Sequence, residues 1–283
     1  MKYSNYFNEK LVIVTGAGQG LGKALCLELA KHKAIVVCTD KSLQLAKHTV
    51  DLINSEVDKN TAKAIELDVA DVNQITDVFN KVKSEFGKID YLFNNAGIAI
   101  GGEIRDLDIG DWKKVMDVNL FGLITCSTEA LKHMSKSKQG HIVNISSISG
   151  LLEYTALSSP YAVSKHGAVT FSKALELEAF DFNVKVTIVC PGAIKTMIGE
   201  NMKYVNANKD IGQKTKEFID KGISAELAAR KIIKGVVRNR KTMIFPAAFK
   251  SFYFITRVFK FLERNFALKM IRDFRKNDRV GSI

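Results

Sequence analysis

The chain has 283 residues, of which 46% are apolar, and a formal net charge of +12. This length allows one large domain or two small ones, and the composition is ordinary for a soluble globular protein. The excess of positive charge indicates an anionic partner, such as a nucleotide, an acidic carrier protein, a membrane surface or a nucleic acid.

The cysteine and histidine patterns argue against disulfide and metal sites. The four cysteines, Cys26, Cys38, Cys126 and Cys190, lie in apolar runs without CxxC spacing. This is typical of free thiols in a reducing compartment such as the cytoplasm. The five histidines show no paired spacing, so we predict no metal site.

Signals for secretion or membrane insertion are absent from the sequence. Residues 1–10 contain no apolar core of a signal peptide. No uncharged run reaches the roughly 18 residues that a membrane-spanning helix needs. We therefore expect a chain that is neither secreted through a signal peptide nor transmembrane.

Short apolar runs alternate with helical patterns from Lys10 onwards. Strands are predicted at 11–16, 34–40, 62–69, 89–97, 141–147, 184–192 and 242–246, with helices near 17–33, 42–58, 72–86, 111–136, 161–180 and 224–238. Continuous apolar runs of this kind are typical of strands that are buried on both faces of a parallel sheet. Seven strands joined by mostly helical connections predict an α/β fold, a doubly wound parallel sheet with helices on both faces.

A glycine-rich turn follows the first predicted strand. Its sequence, TGAGQGLG, spans residues 15–22 and contains Gly16, Gly18, Gln19, Gly20, Leu21 and Gly22. Glycines at these positions let the backbone turn tightly and approach a pyrophosphate, which then lies at the N-terminus of the next helix. Leu21 stands where a GxGxxG pattern has its last glycine, and a glycine turn without any ligand is the alternative.

The second predicted strand ends in Asp40. A carboxylate at this position accepts hydrogen bonds from the adenosine ribose of NAD and repels the 2′-phosphate of NADP. Lys41 follows directly and would offset that charge, and a helix cap is the alternative role for Asp40. We interpret Asp40 as a ribose-binding residue that favours NAD, with NADP not excluded.

Three groups that are suited to proton transfer lie within residues 147–165. Tyr161 and Lys165 are four residues apart, so on a helix they share one face. A cation beside a phenol lowers its pKa from about 10 toward neutral pH, as a general base requires. With the hydroxyl of Ser147, they would exchange a proton with an alcohol oxygen. The same YxxxK spacing at Tyr6–Lys10 has no such context, so spacing alone is not specific.

In chain order, these motifs resemble those of the short-chain dehydrogenase/reductase family, in its branch of single Rossmann domains. The resemblance is strong over residues 8 to 200 and implies one Rossmann-type catalytic domain over residues 1–246. The matching residues are Thr15 to Gly22, Asp68 with Val69, Asn94 to Gly97, Asn119, Ser147, Tyr161 with Lys165, and Pro191-Gly192 followed by Thr196.

The resemblance implies a catalytic group of Asn119, Ser147, Tyr161 and Lys165. Tyr161 would exchange the proton, Ser147 would orient the substrate oxygen, and Lys165 would lower the phenol pKa and hold the cofactor ribose. Asn119 would support a water that links Lys165 to solvent. Ser147 is chosen over its neighbouring serines because it lies three residues before Gly150, where the family places its catalytic serine.

The resemblance also implies the remaining cofactor contacts. They are Asp68 and Val69 at the adenine, Asn95, Ala96 and Gly97 on the side of the adenine ribose, Tyr161 together with Lys165, and Pro191, Gly192, Ile194 and Thr196 toward the nicotinamide. A loop that only stabilises the sheet is the alternative interpretation of residues 94–97.

The implied reaction is hydride transfer between a nicotinamide and a carbonyl or alcohol carbon. A lipophilic substrate, such as a steroid, a retinoid or a long-chain compound, is expected because the predicted walls of the pocket are apolar. These walls consist of Leu151, Leu152, Tyr154, Leu157, Met197, Ile198, Met202, Tyr204 and Val205. Ordinary packing accounts equally well for half of these side chains.

Two other functions remain open at this stage. One is an NADPH-dependent 3-oxoacyl-carrier-protein reductase, and the other is a dinucleotide-sensing protein without turnover. The resemblance further implies a homodimer or homotetramer that is formed through the helices near 111–136 and 161–180. We expect no nucleic-acid partner, because much of the basic run at 230–241 falls on a helix whose exposed face is expected to be charged.

The C-terminal residues 247–283 form a basic, aromatic-rich tail. Apolar residues recur at helical spacing, and Lys and Arg side chains cluster on the opposite side. The apolar positions are Ala248, Phe252, Ile255, Phe259, Leu262, Phe266 and Met270. Such an amphipathic helix suits peripheral contact with a membrane, docking onto a partner subunit, or covering the mouth of the substrate site.

Overall fold

The computed structural model describes residues 6–57, 61–208 and 210–281. Its strands are β1 Leu11–Thr15, β2 Ile35–Asp40, β3 Ala62–Glu66, β4 Tyr91–Asn94, β5 Ile100–Gly101, β6 Gly140–Ile145, β7 Val184–Pro191, β8 Ile194–Lys195, β9 Lys203–Tyr204, β10 Ile223–Ser224 and β11 Thr242–Phe245. Residues 1–5 of the predicted domain and residues 282–283 of the predicted tail lie outside the described residues.

Ten α-helices connect or follow these strands within the described ranges. They are α1 Gly20–Lys31, α2 Leu43–Glu56, α3 Val72–Phe86, α4 Ile109–Met116, α5 Gly122–Ser137, α6 Ser159–Glu178, α7 Asp210–Asp220, α8 Ala225–Val237, α9 Ala247–Val258 and α10 Lys260–Asn277. Seven strands form one parallel sheet in the order β11-β7-β6-β4-β1-β2-β3. The predicted doubly wound parallel sheet is therefore confirmed.

The central strand β1 shows why the apolar runs fold in this way. All five of its residues are buried. Val12 and Val14 belong to the apolar core on one face of the sheet, which includes residues of α1 and α8. Leu11 and Ile13 belong to the core on the other face, which includes residues of α3 and α5. Because successive side chains of a strand point to opposite faces, a strand covered by helices on both sides needs apolar residues at every position.

The order of the strands fixes the place of the functional site. From β1 the chain adds β2 and β3 on one side, and then crosses over to add β4, β6, β7 and β11 on the other. In open sheets of this kind, ligands bind at the carboxyl ends of the strands where the order reverses. The crevice between β1 and β4 is this position.

Two short parallel pairs lie outside the main sheet. β5 pairs with β9, with Gly101 opposite Tyr204, and β8 pairs with β10, with Ile194 opposite Ile223. They hold the segments that follow β4 and β7, and the second of these carries the predicted wall residues from Met197 to Val205.

The tail differs from the single helix that its spacing predicts. It forms two helices, α9 and α10, which are interrupted at Phe259, where the backbone is not helical. Ile255, Thr256 and Val258 are β-branched and lower the helix propensity just before the break. The interruption lets α10 turn back on α9, and the rings of Phe252 and Phe266 meet edge to face at 6.3 Å.

Ion pairs fasten the end of α10 to the segment after β5. Arg275 contacts Glu103 at 2.7 Å, and Arg279 bonds both Glu103 and Asp106. The hydrogen bonds from Arg279 lower the pKa of Asp106 to about 2. The side chains of Arg279, Glu103 and Asp106 are each at least nine-tenths covered by their neighbours, while Arg275 remains 43% exposed, so this is a tightly packed ion cluster at the surface.

Candidate active site

Helix α6 places Tyr161 and Lys165 one turn apart. The Lys165 ammonium is buried, lies 5.6 Å from the centroid of the Tyr161 ring and donates a hydrogen bond to the carbonyl of Ile145 at 3.0 Å. Ile145 is the last residue of β6, so the helix and the carboxyl end of the sheet meet at this ammonium.

Ser147 lies just beyond β6 and faces the same point. Its hydroxyl accepts a hydrogen bond from the backbone of Ser149 at 3.1 Å, and its interaction with the Tyr161 phenol acts to lower the pKa of that phenol. The hydroxyl of Ser146 instead donates to the backbone carbonyl of Lys165 at 2.9 Å. Geometry therefore brings Ser147, rather than Ser146, to Tyr161.

Gly150 lets the turn after Ser147 pack against α6. A Cβ at this position would lie 2.5 Å from the backbone oxygen of Lys165. Any side chain would push the turn away from the helix, and would thereby separate Ser147 from Tyr161.

Asn119 lies in a π-helical turn, Asp117–Phe121, between α4 and α5. Such turns are frequent at functional sites. The fully buried amide of Asn119 accepts from the backbone of Ile98 at 2.8 Å, and donates to the Ile98 carbonyl at 2.9 Å and to the Ser164 hydroxyl at 3.1 Å. A Cβ on Gly97 would lie 3.3 Å from the Asn119 oxygen and 3.5 Å from the Lys165 nitrogen, so Gly97 separates the two groups.

Burial shifts the pKa values of the two titratable groups on α6. It lowers the pKa of the Lys165 ammonium to about 8. Burial also raises the pKa of the Tyr161 phenol. The hydrogen bond with Ser147 acts in the opposite direction, but the pKa remains above its ordinary value. The predicted lowering of the phenol pKa by Lys165 is not seen in the free protein, where burial is the largest influence and raises the pKa.

The glycine-rich turn is as tight as its sequence predicts. Gly16 and Gly20 adopt positive φ angles of 64° and 52°, which favour glycine. A Cβ on Gly22 would lie 2.0 Å from the carbonyl oxygen of Gly16. Gln19 is the N-terminal cap of α1, but its side chain makes no cap hydrogen bond. Leu21 is buried in the core below the turn.

Asp40 points its carboxylate at this turn. One oxygen accepts from the backbone of Gly18 at 2.9 Å and the other from the backbone of Ser42 at 3.0 Å. The cap of α2 is Ser42, whose hydroxyl accepts from Leu45. Asp40 is therefore not the helix cap, and its carboxylate lies beside the glycine turn, where the ribose of a dinucleotide would bind.

Asp68 and Lys41 form an ion pair at the carboxyl ends of β2 and β3. Their side chains meet at 2.6 Å, and Asp68 also accepts from the backbone of Ala70 at 3.0 Å. Partial burial raises the pKa of Asp68, but the hydrogen bond and charge of Lys41 outweigh it, so the pKa lies below its ordinary value. Lys41 therefore neutralises Asp68 rather than Asp40. Val69 is buried, and its backbone oxygen lies against Gly122.

Residues 94–97 join β4 to the glycine turn. The Thr15 hydroxyl accepts from the backbone of Asn95 at 3.0 Å and of Ala96 at 3.1 Å. The Asn95 amide donates to the carbonyls of Thr15 and Gly16 at 3.0 and 3.1 Å. This loop has a visible structural role, and it shapes the turn at the same time.

The segment after β7 closes over the turn from the other side. The side chain of Thr196 lies beside Gly20, and its Cβ is 3.2 Å from the position that a Cβ on Gly20 would occupy. Pro191 and Ile194 are buried, which holds this segment in place. Gly192 packs directly under the ring of Phe249 in α9, which leaves no space for a side chain there.

The predicted substrate walls divide into two groups. Leu151 packs against Val169, Ile188 and Cys190, and a Cβ on Gly101 would overlap the side chains of Met202 and Tyr204. These three wall residues are ordinary packing. The other group consists of Leu152, Tyr154, Leu157, Met197, Ile198 and Val205. All nine wall residues are half-buried or exposed, with Tyr154 at 42% and Met197 at 41% exposure.

Sequence patterns missed the residues that hold the catalytic group. Ser164 and the Ile145 carbonyl anchor Asn119 and Lys165, and Phe249 covers Gly192. Ser164 directly precedes Lys165, so a search for polar neighbours would have found it. The contact between Phe249 and Gly192 has no local signal, because it joins residues far apart in the chain.

This arrangement defines a class of protein. A parallel sheet with a glycine turn after its first strand, an acid after its second, and a serine, a tyrosine and a lysine gathered beyond β6 is typical of Rossmann-type oxidoreductases that use a nicotinamide dinucleotide.

Comparisons with known proteins agree with this class. The model of the short chain dehydrogenase family matches residues 10–206. Meso-2,3-butanediol dehydrogenase of Serratia marcescens is 35% identical over 190 residues, covering 67% of this chain and 73% of that enzyme. 15-Hydroxyprostaglandin dehydrogenase (NAD(+)) of Rattus norvegicus is 34% identical over 203 residues, covering 70% and 73%.

A solved structure shows the same fold. The short-chain dehydrogenase/reductase of Burkholderia phymatum, crystallised in complex with NAD, aligns with a TM-score of 0.83 and 22% identity over 91% of this chain and 96% of that one. The chain belongs to the short-chain dehydrogenase family and is an NAD(P)-dependent dehydrogenase/reductase.

The residues of the glycine turn fit such a dinucleotide. A Cβ at Gly16, Gly18 or Gly22 would clash with neighbouring protein atoms, so only glycine allows this backbone path. The first turn of α1 has no hydrogen bond from a capping side chain. Uncapped N–H groups at a helix N-terminus bind phosphate. The Asp40 carboxylate lies beside the turn and supplies acceptors for ribose hydroxyls.

The pKa of Lys165 generates a prediction about stability. Since the pKa is about 8 in the folded chain and about 10.4 when unfolded, the unfolded chain binds more protons between these values, and stability rises with pH. Lys165→Met removes the buried charge, and should stabilise the cofactor-free protein by on the order of 2 kcal/mol at pH 7 after the lost hydrogen bond is subtracted. Urea unfolding at several pH values measures this difference.

The expected gain shrinks as the pH rises from 8 toward 10.5, because the folded chain then holds Lys165 without its proton, and the free energy needed to remove that proton falls to zero as the pH approaches the pKa of the unfolded chain. Lys173→Met, at an exposed position of the same helix, serves as the control and should show no such dependence on pH. A Lys165→Met variant that is less stable by the same amount at every pH would contradict the assignment.

Proposed function

We propose that this enzyme transfers a hydride between a nicotinamide and a carbonyl or secondary or primary alcohol carbon, with Tyr161 as the general acid or base. The observation that carries this proposal is the convergence of Ser147, Tyr161 and Lys165 beyond the carboxyl end of β6. The bound dinucleotide supplies or accepts the hydride.

Each side chain has a distinct role in moving the proton. The phenol oxygen of Tyr161 gives a proton to the substrate oxygen, or takes one from it, while Ser147 donates a hydrogen bond to the same oxygen. We assign to the ammonium of Lys165 the role of favouring the phenolate, an effect that would grow once bound cofactor and substrate exclude water from between the two groups. Asn119 holds Ile98 and Ser164 in place, and we assign it the support of a water between Lys165 and solvent.

We further propose that NAD is preferred over NADP. The carboxylate of Asp40 faces the glycine turn, and Lys41, the cation that would offset it, is paired with Asp68. A 2′-phosphate beside an uncompensated carboxylate is repelled. The rat prostaglandin dehydrogenase, which is similar over 70% of this chain, carries NAD(+) in its name, which supports the same preference.

The substrate that fits this site best is a lipophilic alcohol or ketone. The wall residues that do not pack within the core are mostly apolar, and Met197 is a flexible one that adapts to irregular ligands. One of the two similar enzymes described above is named for a prostaglandin and the other for a small diol, so relatives alone do not decide between the two classes.

Exposed apolar side chains support a homodimer or homotetramer. Phe121, Val163, Leu177 and Phe180 lie on or beside the long helices α5 and α6 and are between 47% and 76% exposed. Large apolar groups gathered on helix faces are typical of subunit contacts. A monomeric chain in sedimentation velocity would contradict this proposal.

The role of Tyr161 is tested by Tyr161→Phe. Loss of the phenol hydroxyl removes the proton donor, so kcat should fall by about 100-fold or more while the dissociation constant of NADH is essentially unchanged. Steady-state kinetics and calorimetric titration with NADH measure the two quantities. Tyr6→Phe, in the other YxxxK sequence, is the matched control and should retain its activity. Normal turnover by Tyr161→Phe would exclude the proposed mechanism.

The cofactor preference is tested by Asp40→Asn, which keeps the shape of the side chain and removes its charge. The ratio of kcat/KM for NAD to that for NADP should fall by about tenfold or more, because a charged hydrogen bond is lost and a repulsion is relieved. The melting temperature reports whether the turn at Gly18 stays folded. A wild-type enzyme that uses NADPH better than NADH would favour the carrier-protein reductase alternative instead.

Substrate class is tested with a series of ketones of increasing chain length. If the site is apolar, kcat/KM should rise by about threefold to fourfold for each added methylene until the pocket is filled, since each buried methylene contributes about 0.8 kcal/mol. Highest activity on short, polar diols or ketols would contradict a lipophilic substrate.

A further inference from the structure

The two tail helices carry a large apolar surface that the chain itself does not cover. We call it the tail face: Phe254, Ile255, Val258, Phe259, Phe261, Leu262, Phe266 and Met270, all between 40% and 74% exposed. Leu262, Phe266 and Met270 recur every four residues, so they form one row along α10. Val258, Phe259 and Phe261 lie at the turn between the helices, where they project as an aromatic tip.

The tail face is held in place by contacts on the other side of the same helices. Thr256, Glu263, Ala267 and Phe274 are buried against the rest of the chain. Glu263 accepts a hydrogen bond from the backbone of Tyr154, and the ring of Phe252 supports that of Phe266. The apolar side chains are therefore presented on a fixed scaffold.

The charges around the tail face are strongly positive. Residues 245–283 contain nine Lys or Arg and three Asp or Glu. Two of the three acids, Glu263 and Asp278, are buried and directed at the chain. Exposed cations remain at Lys250, Arg264, Lys269, Arg272 and Lys276. Exposed aromatic groups together with outward cations match the interface of a bilayer that contains anionic lipids.

We propose that the tail face binds the surface of an anionic membrane, with α9 and α10 lying in the plane of the interface. Among the described residues, no helix is long and apolar enough to cross a bilayer, so the contact is peripheral. A second copy of this chain is the less suitable occupant, because a symmetric contact would bring two segments with a net charge of +6 together.

The position of the tail gives this contact a consequence for the substrate. Glu153 pairs with Arg257 at 3.4 Å and with Lys260 at 2.9 Å, and Tyr154 lies beside Glu263. The aromatic tip and the loop that follows Ser147 are thus neighbours. A bound membrane would lie next to the mouth of the active site and supply a lipophilic substrate directly. This consequence rests on the proposed function, whereas membrane binding does not.

The proposal is tested by flotation of the full chain with phosphatidylcholine vesicles, with and without about a third phosphatidylserine. The wild type should float with the anionic vesicles, and high salt should weaken the binding. The double variant Phe259→Ser/Phe261→Ser should bind about tenfold less tightly or worse, since two exposed rings no longer enter the interface. Val72→Ser/Ile109→Ser removes apolar groups of α3 and α4 that are at least as exposed on average, and should bind as the wild type does.

Charge reversal provides the second arm. Lys269→Glu/Arg272→Glu/Lys276→Glu should lose binding by more than fivefold for each cation, because one cation near an anionic surface contributes about 1 kcal/mol. Lys47→Glu/Lys81→Glu/Lys114→Glu has the same net charge, with the changes at exposed positions on α2, α3 and α4. This control variant should bind the anionic vesicles much more tightly than the tail variant does. Equal losses in both triple variants would show a non-specific charge effect and overturn the proposal.

Two further outcomes separate the alternatives. In the first outcome, the wild type does not float with either kind of vesicle, and Phe259→Ser/Phe261→Ser converts a larger oligomer to a smaller one in sedimentation velocity. The tail face is then a subunit interface, and the membrane proposal is wrong. Activity on soluble ketones should be the same in the tail variants and the wild type. In the second outcome, the chain floats with the vesicles but turns over no ketone or alcohol. This result would contradict the proposed function and would still support the membrane contact.

Discussion

The burial of the Lys165 ammonium is the constraint on which the rest of the site depends. A charge held away from water destabilises the fold unless hydrogen bonds compensate it, and here the Ile145 carbonyl at the end of β6 supplies one. The Ser146 hydroxyl fixes the same turn of α6 through the Lys165 carbonyl, and the absence of a side chain at Gly150 lets the two elements touch. The parallel sheet thus positions the Lys165 ammonium beside the ring of Tyr161.

Much of the fold followed from the sequence because its signals are local. Strands buried on both faces need apolar residues at every position, and helix α3 ends at Gly87, which adopts φ of +78° as a terminating glycine does. The site followed less completely. The YxxxK spacing occurs twice, and only the folded chain shows that Lys10 pairs with Asp90 at 3.4 Å, whereas Lys165 reaches a buried carbonyl. Partners such as Lys41 with Asp68 depend on two strands meeting, which spacing does not encode.

The tail shows where periodicity fails. Its spacing predicts helical structure, which is present, but apolar residues at helical intervals say nothing about which face meets the protein. The buried face contains Thr256 and Glu263, two polar residues that a hydrophobic pattern would place in solvent. Glu263 is buried because it accepts a hydrogen bond from the backbone of Tyr154, a specific polar contact between distant segments. The apolar row is left outside as a result.

The family match ends at residue 206, yet the segments around the substrate side are held by residues beyond it. Arg275 and Arg279 clamp Glu103, Lys214 pairs with Asp278, and Phe249 lies on Gly192. The proposed catalytic residues and the predicted wall residues therefore lie in the shared part of the chain, whereas residues beyond it hold the surrounding segments in place.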